Sequence, residues 1–201
     1  GLFHIIADAV KMFTKEDFIP DGANKFLHTM SPIVALVPAL LTFAVVPFGG
    51  QYTLFDKEVN LVISDLDVGL LFVFAIASLA TYGYVIAGWS SNNNWSLLGS
   101  MRTASQMISY EVTMGLTIIG VLMVYGSMKL TEIGAIQENF WMWGIFLQPL
   151  GFIMFLTASI AENKRIPFDA PEAESELVAG YFTEYSGLKF GMFFMAEFIE
   201  M

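Results

Sequence analysis

Long apolar stretches dominate the chain. Four of them, at residues 27–48, 68–88, 104–126 and 140–160, each approach the ~20 residues that an α-helix needs to cross a ~30 Å hydrocarbon core. A fifth begins at Leu188 and occupies the last 14 residues of the sequence. The pattern predicts an all-α, polytopic membrane protein with a single membrane domain over residues 1–201, made of four full spans and a truncated fifth.

The first 15 residues follow a different pattern. His4, Asp8, Lys11 and Lys15 recur at helical spacing, and apolar side chains cover the remaining positions. This periodicity predicts an amphipathic helix. Such a helix suits the membrane interface, with its apolar face toward the lipid. Packing against a neighbouring protein is the alternative.

Composition agrees with a membrane location and narrows the function. Hydrophobic residues make up 56% of the chain and charged residues 14%, against about 25% charged residues in soluble domains. The net charge of −10 argues against nucleic-acid binding. The chain has no cysteine, which excludes disulfides and cysteine-ligated iron–sulfur or zinc sites. The two histidines, His4 and His28, show no metal-ligand spacing, so no metal site is predicted.

The distribution of basic residues predicts the orientation. Seven lysines and arginines fall in the leading segment, in the connection after the second span and in the loop after the fourth. Only Lys57 and Lys129 fall on the opposite side. By the positive-inside rule, the first group of loops faces the cytoplasm or the matrix.

The third span contains an acid that lipid does not tolerate. Its purely apolar part, residues 112–125, has 14 residues, or about 21 Å of helix, which is too short to cross the bilayer. The helix must therefore extend back through Glu111. A carboxylate at that depth faces protein or a wet cavity, where it can carry a proton. A plain hydrogen bond to a neighbouring helix is the alternative.

Two further acids repeat the feature. Glu197 lies about ten residues into the fifth span, and Glu162 stands at the cytoplasmic end of the fourth. Because all three positions are on the same side, we expect Glu111, Glu162 and Glu197 to cluster in the cytoplasmic half. Buried acids at similar depth are typical of a proton or cation pathway.

Residues 161–187 form a long, acidic loop on the cytoplasmic or matrix side. Pro167 and Pro171 stiffen it, and the spacing of Asp169 and Glu172 resembles a capping box. We expect a short helix over residues 170–181, with Glu172 and Glu176 on one face and Glu174 roughly opposite. Like charges at this spacing repel, so a basic partner, water or protonation must compensate. A solvated acidic loop is the alternative.

The same loop carries a resemblance to a known family. Residues 162–198 read ENKRIPFDAPEAESELVAGYFTEYSGLKFGMFFMAEF. This stretch resembles the signature of the H-subunit (subunit 1) family of respiratory complex I, the proton-pumping NADH:quinone oxidoreductase. Other stretches match in the same order: IADAVKMFTKEDFIPDGANKFL, PALLTFAVVP, DLDVGLLFVFAIASLATYGYVIAGWSSNNNWSLLGSMR and SQMISYEV. The family pattern places one helix before Gly1 and further helices after Met201.

The resemblance implies a role in coupling. In the family this subunit forms, with peripheral-arm subunits, the chamber that admits quinone, and an acidic funnel leads from it towards the antiporter-like membrane subunits. Quinone is the substrate; no cofactor is bound covalently, and NADH, FMN and the iron–sulfur clusters belong to partner subunits. The positions that match acids of the funnel and its loop are Glu111, Glu162, Glu172, Glu174, Glu176, Glu184 and Glu197. Asp8 and Arg102 match positions near the quinone channel.

Glu200 departs from the family pattern, which has no acid at this position. If the fifth span is helical, Glu197 and Glu200 lie on nearby faces and can share a proton. Two other functions stay open: the equivalent subunit of a membrane-bound hydrogenase or ferredoxin-linked complex, and a secondary ion transporter. The loops favour a bacterial inner membrane over the mitochondrial one.

Overall fold

The computed structural model describes residues 3–49, 51–54, 57–171 and 174–200. In chain order these contain helices α1 (His4–Thr14) and α2 (Lys25–Thr42), strands β1 (Gln51–Leu54) and β2 (Lys57–Asn60), and helices α3 (Gly69–Ser90), α4 (Asn94–Tyr125), α5 (Leu130–Ile136), α6 (Gly144–Leu147), α7 (Pro149–Glu162), α8 (Glu174–Leu177) and α9 (Gly187–Glu200). Two 3₁₀ turns, Phe140–Met142 and Gly180–Phe182, complete the described elements. The chain is thus an all-α polytopic protein, to which β1 and β2 add one antiparallel hairpin outside the helices.

Three helices, α2, α3 and α4, are long and apolar enough to cross a membrane. They confirm the first three predicted spans. The third begins earlier than expected, at Asn94, because the Asn93 side chain caps the helix by accepting from the Trp95 N–H at 2.9 Å. It ends at Gly126, whose φ of +71° only glycine adopts easily. Glu111 therefore lies well inside α4, as the span length predicted.

The fourth predicted span, residues 140–160, is wrong as a single helix. It is divided into the turn Phe140–Met142, α6 and α7. Helix α7 starts at Pro149, which has no N–H to donate. The preceding Gln148 has a non-helical backbone and its side-chain amide donates to the Gly120 carbonyl of α4 at 2.6 Å. The break therefore fixes α7 to α4.

Small residues let the helices pack closely. A Cβ on Gly83 of α3 would lie 2.6 Å from the backbone nitrogen of Ala35 in α2, so only glycine fits at this crossing. Close approach through small residues is a common way for membrane helices to associate. Pairwise packing continues from α3 to α4, from α4 to α7, and from α2 to α9. Buried alanines and three large aromatic residues, Tyr84, Tyr181 and Phe193, fill the core.

Helix α1 confirms the predicted amphipathic helix. It packs against α9 and leaves Phe3, Ile6, Val10 and Phe13 exposed. An exposed apolar row on a peripheral helix fits a membrane surface or a partner protein. Both alternatives from the sequence therefore stay open.

The predicted helix over residues 170–181 is wrong. The described part of this stretch contains only α8 and the turn Gly180–Phe182. Val178 and Gly180 both have positive φ, +67° and +60°, which ends helical structure. The turn is held against α4, where the Ser96 hydroxyl donates to the Tyr181 carbonyl at 2.9 Å. Glu172 and the Glu174 side chain lie outside the described residues, so their faces stay predictions.

Candidate functional site: a buried group of carboxylates

A buried ion pair lies where the loop after α7 meets α9. The Lys164 ammonium contacts the Glu197 carboxylate, and their side chains are only 2% and 7% exposed. The Tyr181 hydroxyl donates to the same Glu197 oxygen, and Lys164 donates to the Tyr181 oxygen at 3.0 Å. Lysine, tyrosine and glutamate thus form a closed triangle of charge-assisted hydrogen bonds.

Two aromatic rings enclose the lysine. The Lys164 nitrogen lies 4.0 Å from the centroid of the Tyr84 ring and 4.7 Å from that of Tyr181. Cations are attracted to the faces of such rings, and more strongly when water is excluded. The ammonium is therefore compensated on several sides inside the protein.

The backbone around Lys164 explains why this lysine turns inward. Helix α7 ends at Glu162, and Lys164 itself has a φ of +52°, which redirects the chain. The Gln106 amide of α4 donates to the carbonyls of Ala161 and Phe168, both at 2.7 Å. These bonds hold the two ends of the turn against α4 and position Lys164 over the core.

A second set of acids lies beside this pair. Glu162 is within electrostatic range of Glu111 and of Glu200, and Glu200 is within range of Glu111, Glu197 and Lys164. One carboxyl oxygen each of Glu111 and Glu200 is buried with no hydrogen-bond partner in the described part of the chain, although the Ser78 hydroxyl of α3 faces the Glu111 carboxyl. The predicted clustering of Glu111, Glu162 and Glu197 is therefore what the geometry gives, and Glu200 joins them.

The loop acids are arranged differently. Glu176 forms an ion pair with Arg102 of α4 at 2.7 Å, but both side chains are well exposed, at 61% and 40%. Glu184 accepts a hydrogen bond from the Asn93 amide at 2.7 Å. These contacts tie the loop to the start of α4. Glu172 lies outside the described residues, and nothing is said of the Glu174 side chain.

Asp8 and Arg102 line different cavities. Asp8 borders a groove of about 740 Å³ between α1 and α9. Arg102 borders an open cavity of about 610 Å³ along α4, together with Ser105, Gln106 and Tyr110. Each cavity holds one of the two predicted positions, so the structure does not bring them together.

Sequence reasoning missed the residues that compensate Glu197. In the sequence Lys164 is one loop charge among several, and no pattern singles out Tyr84 or Tyr181. Lys164 and Glu197 are 33 positions apart and Tyr84 belongs to another helix, so no local spacing signals the contact. The buried His28, stacked on Tyr185, was missed for the same reason.

Comparison with known proteins identifies the family. A family model described as NADH dehydrogenase matches residues 1–201. The chain belongs to the NADH dehydrogenase family. This membership confirms the resemblance carried by residues 162–198 and by the other matching stretches.

Among NADH dehydrogenase relatives, the chain is 53% identical over 201 residues to the NADH-quinone oxidoreductase H subunit 1 of Geobacter metallireducens, covering 100% of this chain and 60% of the relative. It is 51% identical over 201 residues to the H subunit 2 of Geobacter sulfurreducens, again covering 100% and 60%. The corresponding H subunit of Helicobacter pylori is 50% identical over 202 residues, with 100% and 61% covered. The chain thus spans about 60% of the length of these curated relatives.

Proposed function

We propose that this chain is part of the membrane-embedded H subunit of a proton-pumping NADH:quinone oxidoreductase, where it borders the quinone-access chamber and links quinone reduction to proton movement through buried carboxylates. Relatives that bear the name of this subunit match every residue of the chain. The observation that carries the proton path is the position of Glu162, within electrostatic range of both Glu111 and Glu200.

The groove between α1 and α9 suits the entry of a quinone. Its lining is mostly apolar, with Met12, Phe190, Phe194 and Phe198 along it and Asp8 at its border. Small-molecule sites are typically apolar with few polar groups that fix orientation. The exposed apolar side chains of α1 bring this groove to the level of the bilayer, from which an apolar quinone tail can enter.

The acids suit proton transfer because they are close and not separately neutralised. Within the described residues neither Glu111 nor Glu162 forms an ion pair. Several carboxylates this close in a poorly hydrated site repel strongly when all are ionised, so they hold protons jointly as a coupled set. Quinone reduction consumes protons along with electrons, and a change of charge in the chamber shifts this shared protonation.

The loop joins the two regions in this proposal. Glu176 and Glu184 contact Arg102 and Asn93 at the start of α4, between the surface and the buried acids. Glu172 and Glu174 belong to the same acidic loop. Asp8 and Arg102 contribute charge at the two cavities near the quinone path, and the electrons come from an iron–sulfur cluster of a partner subunit.

The proton path is tested in the intact complex in native membranes. Glu111→Gln and Glu162→Gln each remove one proton-carrying group with little change in shape. We expect proton pumping to fall by at least about tenfold in each, the lower part of the range for proton-transfer residues. Glu138→Gln, an exposed acid outside the cluster, is the matched control. If both cluster variants pump and reduce quinone like the parent, the relay is wrong.

The partners are tested by gentle solubilisation of the full-length subunit, followed by mass identification of what co-purifies. We expect peripheral-arm quinone-site subunits and antiporter-like subunits from a bacterial inner membrane, together with inhibitor-sensitive quinone reductase activity. Co-purification with a nickel–iron hydrogenase would instead support the hydrogenase alternative. Recovery without partners would favour the transporter.

A further inference from the structure

We propose that Lys164 is a positioning residue that holds Glu197 as one half of a fixed ion pair, so that proton exchange in the acid cluster is confined to Glu111, Glu162 and Glu200. The first half of this statement concerns the resting protein. The second half rests on the proposed function.

The geometry distinguishes Glu197 from the other acids. Its carboxylate contacts both the Lys164 ammonium and the Tyr181 hydroxyl. Glu111 and Glu200, by contrast, each keep a buried carboxyl oxygen without a hydrogen-bond partner among the described residues. A buried charge persists when it is paired and hydrogen-bonded. Glu197 is the member of the cluster that meets this condition most fully.

The surroundings of the pair favour permanence. Lys164 is held from the other side by the rings of Tyr84 and Tyr181, and Glu200 is the further charged group within range of both partners. Breaking a buried ion pair by removing one partner leaves an uncompensated charge, which is strongly unfavourable. During turnover the pair therefore acts as a stationary dipole beside the acids that exchange protons.

The test compares Lys164→Met with Lys164→Arg in the full-length subunit within the intact complex. Methionine fills similar space without charge, whereas arginine keeps the charge. Without the cation, Glu197 takes up a proton rather than remain as a buried unpaired carboxylate. We expect a new infrared band of a protonated carboxyl group at neutral pH in Lys164→Met. The band shifts in D₂O, is absent from Lys164→Arg, and is lost in the double variant Lys164→Met/Glu197→Gln.

Lys189→Met is the matched control, because Lys189 is also a buried lysine paired with an acid, Asp17, at 2.9 Å. Asp17 is 53% exposed and stays hydrated without its partner, so no new band is expected. The inference is overturned if Lys164→Met shows no new carboxyl band, or if its band survives the Glu197→Gln substitution. If Lys164→Met fails to assemble, Lys164→Gln is measured against the same double variant, with the same two outcomes.

A second measurement tests the role of the pair in turnover. Infrared difference spectra between oxidised and reduced quinone should contain no Glu197 contribution in the parent, so the parent and Glu197→Gln spectra should agree in the carboxyl region. A Glu197 band there would overturn the confinement of exchange to the other acids. Failure of the proposed function is recognised separately, because Glu111→Gln and Glu162→Gln would then pump normally whatever the resting band of Lys164→Met shows.

Discussion

The imidazole of His28 lies flat against the phenol ring of Tyr185, with centroids 4.0 Å apart and planes 4° apart. His28 is fully buried in α2, while Tyr185 precedes α9 and borders the groove between α1 and α9. The Tyr185 oxygen lies 2.7 Å from the Ser31 hydroxyl and 3.2 Å from the Ser90 hydroxyl. This single side chain therefore connects α2 and α3 with the wall of the groove.

Tyr185→Phe should destabilise the protein while preserving the stack. It leaves two buried serine hydroxyls without their tyrosine partner, which costs about 1–3 kcal/mol. For a chain of this length we expect the thermal midpoint in detergent to fall by about 2–4 °C per kcal/mol. Burial raises the pKa of Tyr185, so the hydroxyl stays protonated around neutral pH and the loss should not vary there. Tyr82→Phe, on an exposed side chain, should leave the midpoint unchanged; an equal fall in both would contradict the interpretation.

Gly99→Ala should dislodge the loop from α4. A Cβ at this position would lie 2.6 Å from the Gly180 Cα, and because the obstacle is backbone it cannot rotate away. Overpacking of this kind costs about 1–3 kcal/mol, measurable as a lower thermal midpoint and faster amide exchange at residues 180–182. Gly115→Ala in the same helix has open space among the described residues. It should be neutral or stabilising by about 0.5–1 kcal/mol. Indistinguishable midpoints for the two variants would rule out this close contact.

The helices were predictable from sequence where hydropathy alone determines them. Helices α2, α3 and α4 follow from apolar length, and the span argument placed Glu111 inside α4. The division of the fourth span at Gln148 was not predictable in this way. It depends on a hydrogen bond from Gln148 to Gly120, a residue of another helix, and hydropathy carries no information about such a contact.

The candidate site was predictable only in part for a related reason. The depth of Glu111, Glu162 and Glu197 along their helices follows from the spans, so their shared level could be inferred. Which acid has a counter-cation could not, because Lys164 reaches Glu197 through a turn whose direction depends on a positive φ and on the Gln106 clamp. The helix predicted over residues 170–181 failed because tertiary contacts of Gly180 with Gly99 override a local capping signal.

Asp65 and Lys129 should give the loop before α3 a pH-dependent anchor. Their charged atoms are 2.8 Å apart, and the hydrogen bond from Lys129 lowers the pKa of Asp65. A carboxyl group with a lowered pKa stabilises the fold above its ordinary titration range, and this contribution is lost as the pH falls through the lowered pKa. Amide exchange at residues 64–68 should therefore speed up in acid, by an amount that is small for an exposed pair.

The comparison of two asparagine variants isolates this effect from other acid-sensitive groups. Asp65→Asn should already exchange faster at neutral pH and show a weaker acid response than the parent. Asp67→Asn should behave like the parent, because Asp67 is 96% exposed and 3.9 Å from Lys129. If Asp65→Asn keeps the full acid response, the anchor lies elsewhere.

Gln106→Glu should release the turn that carries Lys164. The amide of Gln106 donates to the carbonyls of Ala161 and Phe168, and an ionised glutamate has no proton to donate to either. Each carbonyl left unsatisfied costs about 1–3 kcal/mol, so the thermal midpoint should fall and exchange at residues 162–168 should rise. Gln106→Met separates the two causes, since it removes the same bonds without adding charge. Comparable losses in both variants would assign the effect to the clamp, whereas a normal Gln106→Met protein would show that the hydrogen bonds contribute little.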